Sequence, residues 1–352
     1  MARRKKKKKN FKFIFIGSIT LLVLLTIFYI TRPEYQLKQK GYDALTVSQI
    51  IEQDSKIVSS VLKVEYKDYI LELISDNNYN SSKIKDYVTY YEDNNDIKIK
   101  DVINIVNDDK TEVENITKFA KDPYFIYERL NRYIDYYNSN KDNTTSEVIR
   151  IINTNTDYDF YTNIKSTDLS KGNLVIVNKY YKLESDYIPN DLVDVDPKYG
   201  SGKLYKDAYQ HLIMMSDAAE LEGLSFLAHS NYRSYNTQQG LYTNYVAANG
   251  QEAADSFSAK AGHSEHQTGL AMDLRAYNGG DITKFENSKE FKWVKEHAHL
   301  YGFILRYPEG KEALTGYSYE PWHYRYVGSD VAKYIYENNI TYDEYYAYFI
   351  GR

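Results

Sequence analysis

The sequence predicts one compact α+β domain over roughly its C-terminal half, preceded by a transmembrane helix and a mostly helical region. Three observations predict this order. A basic cluster runs straight into an uncharged apolar stretch. Apolar residues then recur three and four apart over the next segment, and beyond about residue 156 short strand patterns alternate with helices.

The first dozen residues, MARRKKKKKNFK, carry eight Lys or Arg and no acid, and residues 13–30, FIFIGSITLLVLLTIFYI, carry no charge. Eighteen residues at about 1.5 Å each nearly span a hydrocarbon layer of ~30 Å. Thr-Arg-Pro-Glu follows directly instead of the small residues of a cleavage point, so an uncleaved anchor is expected. The basic residues 1–12 belong on the cytoplasmic side of such an anchor, which sends everything after Thr31 outside the cell. Setting those eight cations aside from 44 leaves 36 against 49 acids, about −13 for the remainder, and an acidic body argues against a nucleic-acid partner. Cysteine is absent, which excludes disulfides and thiol nucleophiles.

Between Gly41 and Val106 the spacing of Val47, Ile50 and Ile51, of Ile57, Val58, Val61 and Leu62, and of Ile84, Tyr87, Val88 and Tyr91 predicts short helices. Asn-rich breaks separate them. GYDALTVSQII and NYNSSKIKDYV faintly resemble each other without defining a repeat. Residues 31–155 are expected to form a helical stalk or accessory domain, either a spacer or a binding module.

The second domain is expected over 156–352. LVIVN at 174–178 reads as a buried strand, Leu204 to Glu222 as a helix ended by Gly223, and LSFLAHS as a strand. Asn287 with Glu290 reads as a capping pair for a helix that Gly302 ends before the strand FILRY.

Chemistry concentrates in GHSEHQTGLAMDL, which places two of the seven histidines, a glutamate and an aspartate within eleven positions. Alternation in GLAMDL sends Leu270, Met272 and Leu274 to a core and Asp273 to the other side. In YEPWHYRYVG the same period puts Trp322, Tyr324 and Tyr326 on one face and His323 and Arg325 on the opposite one. With His266 this makes two imidazoles and a carboxylate, a set suited to a catalytic Zn²⁺ with one position left for water. Glu320, three residues before His323 and lifted by Pro321, could act on that water without binding the metal. Alternatives stay open: His266 capping a turn, Asp273 paired with Arg275 or Arg306, His323 a satisfied core residue, Glu320 a surface acid. His263 is expected to be structural or to support the ligands, because the glycines at 262 and 269 favour a loop in which one histidine points inward. In SNYRSYNTQQ the fork of Arg233 suits a substrate carboxylate or a developing oxyanion, with Gln238 and Ser264 as neutral donors; a surface ion pair is the commoner fate of an arginine.

SNYRSYNTQ, GHSEHQTGLAMD, YGFILRYP and TGYSYEPWHYRYVG resemble the VanY-type D-alanyl-D-alanine carboxypeptidases, zinc peptidases of bacterial cell-wall metabolism. The resemblance runs from about Asn173 to the C-terminus. It implies the small α+β fold of these and hedgehog-like zinc peptidases, a central antiparallel sheet carrying the zinc site. It implies one Zn²⁺ on His266, Asp273 and His323, Glu320 as acid/base, and Arg233, Gln238 and Ser264 holding the substrate end or the tetrahedral intermediate. The substrate it implies is a peptidoglycan stem peptide ending in D-Ala. A related L,D-carboxypeptidase acting on tetrapeptide stems is the alternative, and a wall-binding module without catalysis is the rival from another class.

Overall fold

The computed structural model describes residues 18–279 and 281–351. The expected basic tail and the first five residues of the expected span lie outside the described residues. Residues 18–30 are helical. Among the described residues no helix is long and apolar enough to cross a membrane. The expectation of a transmembrane helix over 13–30, and with it a single-pass protein with a cytoplasmic N-terminus and an extracellular catalytic domain, is corrected on that ground.

The chain divides into two compact units, Met1–Ile134 and Asp135–Arg352. In the first, short helices follow one another: α1 (Pro33–Lys40), α2 (Ala44–Ile51), α3 (Ser55–Val61), α4 (Ile70–Ser75), α5 (Ile84–Asp93), α6 (Ile99–Asn107) and α7 (Val113–Ala120). Local chemistry starts them. Pro33 opens α1, and the Asp43 carboxylate accepts the backbone N–H groups of Leu45 and Thr46 at the head of α2. Their apolar stripes bury Val47 and Ile50, then Val58 and Val61, then Val102, Ile103 and Ile105.

A repeat is present, in a different phase from the two phrases compared above. The pairs α2–α3, α4–α5 and α6–α7 begin at Ala44, Ile70 and Ile99. Contacts recur 25 residues apart: the Tyr42 hydroxyl accepts the Lys67 N–H at 3.1 Å, Lys67 Nζ donates to Glu92, and Lys98 Nζ donates to the Pro123 carbonyl. One such pair cannot bury its apolar face alone, so stacked copies share a continuous core.

The second unit is built on a four-stranded sheet of order β5-β6-β8-β7, antiparallel throughout, in which β5 is Phe226–Ser230, β6 Ala271–Ala276, β7 Phe303–Leu305 and β8 His323–Tyr326. Two minor ladders precede it, β1 (Lys165–Ser166) with β2 (Tyr181–Lys182) and β3 (Leu192–Asp194) with β4 (Lys203–Tyr205). Met272, Leu274, Tyr324 and Tyr326 join a core with Ala208, Leu212, Met215 and Ala219 of the helix Lys206–Leu221. That helix begins two residues later than predicted, because residues 203–205 pair as β4. The opposite sheet face carries Asp273, His323 and Arg325. Toward its β7 edge Ile304 packs with Ile176, Ile335 and Tyr342.

Two local expectations fail for identifiable reasons. Residues 175–178 are buried, but no strand forms over 174–178. Side chains take their carbonyls: Arg325 donates to Val175 O, Thr167 to Ile176 O and His263 to Asn178 O. The helix Lys289–His297 is capped by Ser288, whose hydroxyl accepts the Phe291 N–H at 3.0 Å, rather than by Asn287.

Candidate metal centre

The β6–β8 register sets Asp273 directly opposite His323. His266 comes from the 3₁₀ turn Glu265–Thr268 immediately before β6. Gly269 closes this turn at φ 69°, and a Cβ there would meet Leu192 Cδ2 at 2.6 Å. Only glycine lets the chain fold back so tightly.

One donor atom each from His266, Asp273 and His323 lies within 4.8 Å of the others. His266 Nε2 is 3.4 Å from Asp273 Oδ2, and His323 Nδ1 is 3.2 Å from Asp273 Oδ1. All three residues are buried, at 4, 8 and 4% exposure. The tautomers are set from outside. His266 Nδ1 donates to the Asn231 carbonyl at 2.7 Å, leaving Nε2 to face the group. His323 faces it through Nδ1.

The site is electrostatically prepared for a cation. Burial opposes ionisation of Asp273, yet His266 and His323 hold its carboxyl far below the usual range. Burial also opposes charge on His323, but the carboxylates of Asp273, Glu265 and Glu320 beside its ring raise it to about 9. Asp273 Oδ1 is buried without a hydrogen-bond partner. Two imidazoles, an ionised carboxylate and an unsatisfied oxygen fit a divalent ion of the zinc type.

Glu320 stands beside this group, 8% exposed, with Oε2 3.6 Å from His323 Nδ1. Its backbone N–H donates to Tyr307 O at 3.1 Å, and burial pushes its carboxyl up to about 7. Arg233, from the loop between β5 and the helix Tyr235–Asn249, donates to Gln238 Oε1 and Ser230 Oγ, each at 2.8 Å, and reaches within 3.8 Å of Asp273 Oδ2. Gln238 spends its amide N–H on Ala259 O at 2.7 Å, so its geometry holds Arg233 in place. Ser264 is buried two residues before His266.

The bland alternatives for Asp273 are not realised. Arg306 pairs with Glu265 and Asp343, and Arg275 reaches only toward Gly279 O, at 3.5 Å. His263 lies outside the group: Nδ1 contacts Asn178 O at 2.7 Å, the ring meets Tyr161 edge-on, and burial lowers it to about 4, which keeps it neutral. Sequence reasoning missed Ser230, Asn231, Glu265, Arg306 and Asp343. For Glu265 the signal was present, an acid inside the histidine-rich stretch.

A buried two-histidine, one-carboxylate set with a proton-holding carboxyl beside it defines the class of mononuclear metallohydrolase centres. The comparisons give the particular family. The family model for VanY, D-alanyl-D-alanine carboxypeptidase, matches residues 201–329. The chain is 43% identical over 181 residues to putative carboxypeptidase YodJ of Bacillus subtilis (strain 168), covering 49% of this chain and 66% of that one. It is 36% identical over 196 residues to a D-alanyl-D-alanine carboxypeptidase of Enterococcus faecium, covering 53% and 61%. In both cases the chain spans just under two thirds of the relative. The solved structure of the LdcB LD-carboxypeptidase is similar at 40% identity and a TM-score of 0.50, over 54% of this chain and 94% of that one. This chain belongs to the VanY carboxypeptidase family.

Proposed function

We propose that this protein is a zinc-dependent carboxypeptidase that removes the terminal D-alanine from peptidoglycan stem peptides. The observation that carries the reading is the convergence of His266, Asp273 and His323 within 4.8 Å, with the buried Glu320 carboxyl 3.6 Å from His323. His266 Nε2, an Asp273 oxygen and His323 Nδ1 would hold the ion, and zinc is the metal on which the family depends. When bound, the ion supplies Lewis acidity toward water and a peptide carbonyl.

The remaining steps belong to side chains of this protein. Glu320 takes a proton from the attacking water and returns it to the departing amine of D-alanine, a dual task that suits a carboxyl near pH 7. Arg233, braced by Gln238 and Ser230, offers its fork to the substrate carboxylate or to the oxyanion. Ser264 is a neutral donor from the turn that carries His266.

Likeness to the LdcB LD-carboxypeptidase, over 94% of that chain, supports a second reading: the same centre cutting an L-residue to D-alanine bond in a tetrapeptide stem. Mass spectrometry of synthetic pentapeptide and tetrapeptide stems incubated with the full chain, before and after chelation and zinc restoration, separates these. Metal-dependent loss of one alanine from the pentapeptide is the expected result. Loss from the tetrapeptide alone selects the L,D reading. If both stems stay intact with zinc-loaded protein, catalysis on free stems is refuted and a wall-binding role takes its place.

A further inference from the structure

Glu265 immediately precedes His266 in the chain and lies 3.7 Å from the ring of His323, yet the chemistry above gives it no part. Its Oε1 accepts two charge-assisted hydrogen bonds at 2.8 Å, from Arg306 Nε and Arg325 Nη1, all three side chains being 0–1% exposed. Both guanidiniums have further acceptors. Arg306 reaches Asp343 at 2.5 and 3.2 Å, and Arg325 reaches the carbonyls of Asn173, Val175 and Tyr326. Two buried cations thus face two buried carboxylates, which keeps Glu265 ionised.

Its other oxygen, Oε2, is buried and accepts no hydrogen bond. Neither does His323 Nε2, also buried, make one. The two atoms are 3.7 Å apart. An imidazole that turns Nδ1 to the metal carries its proton on Nε2. Here an orphaned donor therefore faces an orphaned acceptor across a gap ~0.7 Å longer than a good hydrogen bond.

We infer that Glu265 is the positioning residue of His323: in the metal-loaded protein its Oε2 accepts the Nε2–H, fixing the tautomer and the ring so that Nδ1 meets the ion. The inference rests on the metal reading of His266, Asp273 and His323. The two ligands are then oriented differently. His266 leans on a neutral carbonyl of Asn231, and His323 on a carboxylate that two arginines hold in place. A carboxylate partner makes the ligand more basic and strengthens its hold on the metal. One turn, Glu265–Thr268, supplies one ligand and the support of the other, so the two are set together when it folds.

The experiment compares the full chain with Glu265→Asp and Asp343→Asn. Glu265→Asp keeps the charge for the arginines but withdraws the carboxylate by about one bond length, ~1.5 Å. Asp343→Asn loosens the same buried network at its far end. Zinc affinity by chelator competition, the visible spectrum of the cobalt-substituted protein and the melting temperature of the metal-free form are read for each. Glu265→Asp is expected to weaken zinc about 10- to 100-fold and to change the cobalt bands. Asp343→Asn is expected to lower the melting temperature while leaving affinity and spectrum as in the wild type. Wild-type zinc binding in Glu265→Asp with an unchanged spectrum overturns the inference, as does an equal loss of affinity in both variants. Nitrogen-15 NMR of the zinc-loaded wild type tests the same point without a variant: a protonated, hydrogen-bonded His323 Nε2 is expected, and zinc on Nε2 overturns it. Should the wild type take up no zinc at all, the metal reading itself falls and the inference with it.

Discussion

The interiors of the two units differ in kind. Among the described residues, the helical unit buries an almost wholly apolar set, with Leu37, Ile50, Val61, Val102, Ile103 and Phe119 at 0% exposure and only Ser60, Asp101 and Asn104 as polar exceptions. The sheet unit buries Lys179, Glu265, Arg306, Arg325, Asp343 and Glu344 at 2% or less. Apolar interiors tolerate exchange of like volumes, whereas buried ions are costly and hold only as complete networks. Glu265, Arg306, Arg325 and Asp343 form one linked network beside the ring of His323, and Glu344 pairs with Arg150. Among its described residues the helical unit holds no such network and needs only its stripes.

Breaking the charged interior at its chemical end should give the largest effect. Glu320→Gln is expected to lower kcat/KM by about 10²- to 10⁴-fold with one zinc per chain retained, measured by steady-state kinetics and metal analysis. Full activity in that variant would remove Glu320 from the mechanism. At the structural end of the network, Arg306→Met leaves Glu265 and Asp343 short of a cation and should cost roughly 3–5 kcal/mol in chemical denaturation. A cost near zero would mean that the network is not coupled to stability. In the apolar interior, Ile103→Ala should cost roughly 2–5 kcal/mol, seen in the melting of the helical unit, with zinc affinity unchanged. A drop in zinc affinity there would erase the contrast between the two interiors.

Arg233→Lys keeps the charge but loses the fork, so kcat/KM should fall about 10- to 100-fold, or about 1.4–2.7 kcal/mol in transition-state stabilisation. Unchanged kinetics would make Arg233 a bystander. The smallest effect is a pH dependence. In the metal-free protein His323 is raised from 6.5 to about 9, so its protonated form favours folding; this contribution is whole below about 6.5 and is lost as pH climbs through 9. Glu320, raised from 4.5 to about 7, adds a loss of the same sign between those values. The melting temperature of the chelated protein should therefore fall relative to the zinc-loaded form from pH 4.5 to 9, and a constant difference across that range would contradict it.

Much of the site was legible because its signals are local. Alternation in GLAMDL and PWHYRYV placed Asp273, His323 and Arg325 on one face, and the long motifs placed His266, Glu320 and Arg233 around them. Where several segments compete for one backbone, local reading failed. Residues 174–178 have the composition of a strand, yet Arg325, 150 residues away, takes the Val175 carbonyl. The apolar run of 13–30 reads as a span from hydropathy alone, yet among the described residues no helix is long and apolar enough to cross a membrane.

By itself the sequence determined which side chains could serve the chemistry and which face of each strand they occupy, because periods of 2 and 3.6 are properties of a segment. Tertiary structure alone decided which imidazole nitrogen faces the metal group, that Gln238 braces Arg233, and that Glu265 meets Arg306 and Arg325 from 41 and 60 residues away. Such pairings depend on how distant segments pack, and in a water-free interior each buried donor and acceptor must find its partner wherever the fold brings one.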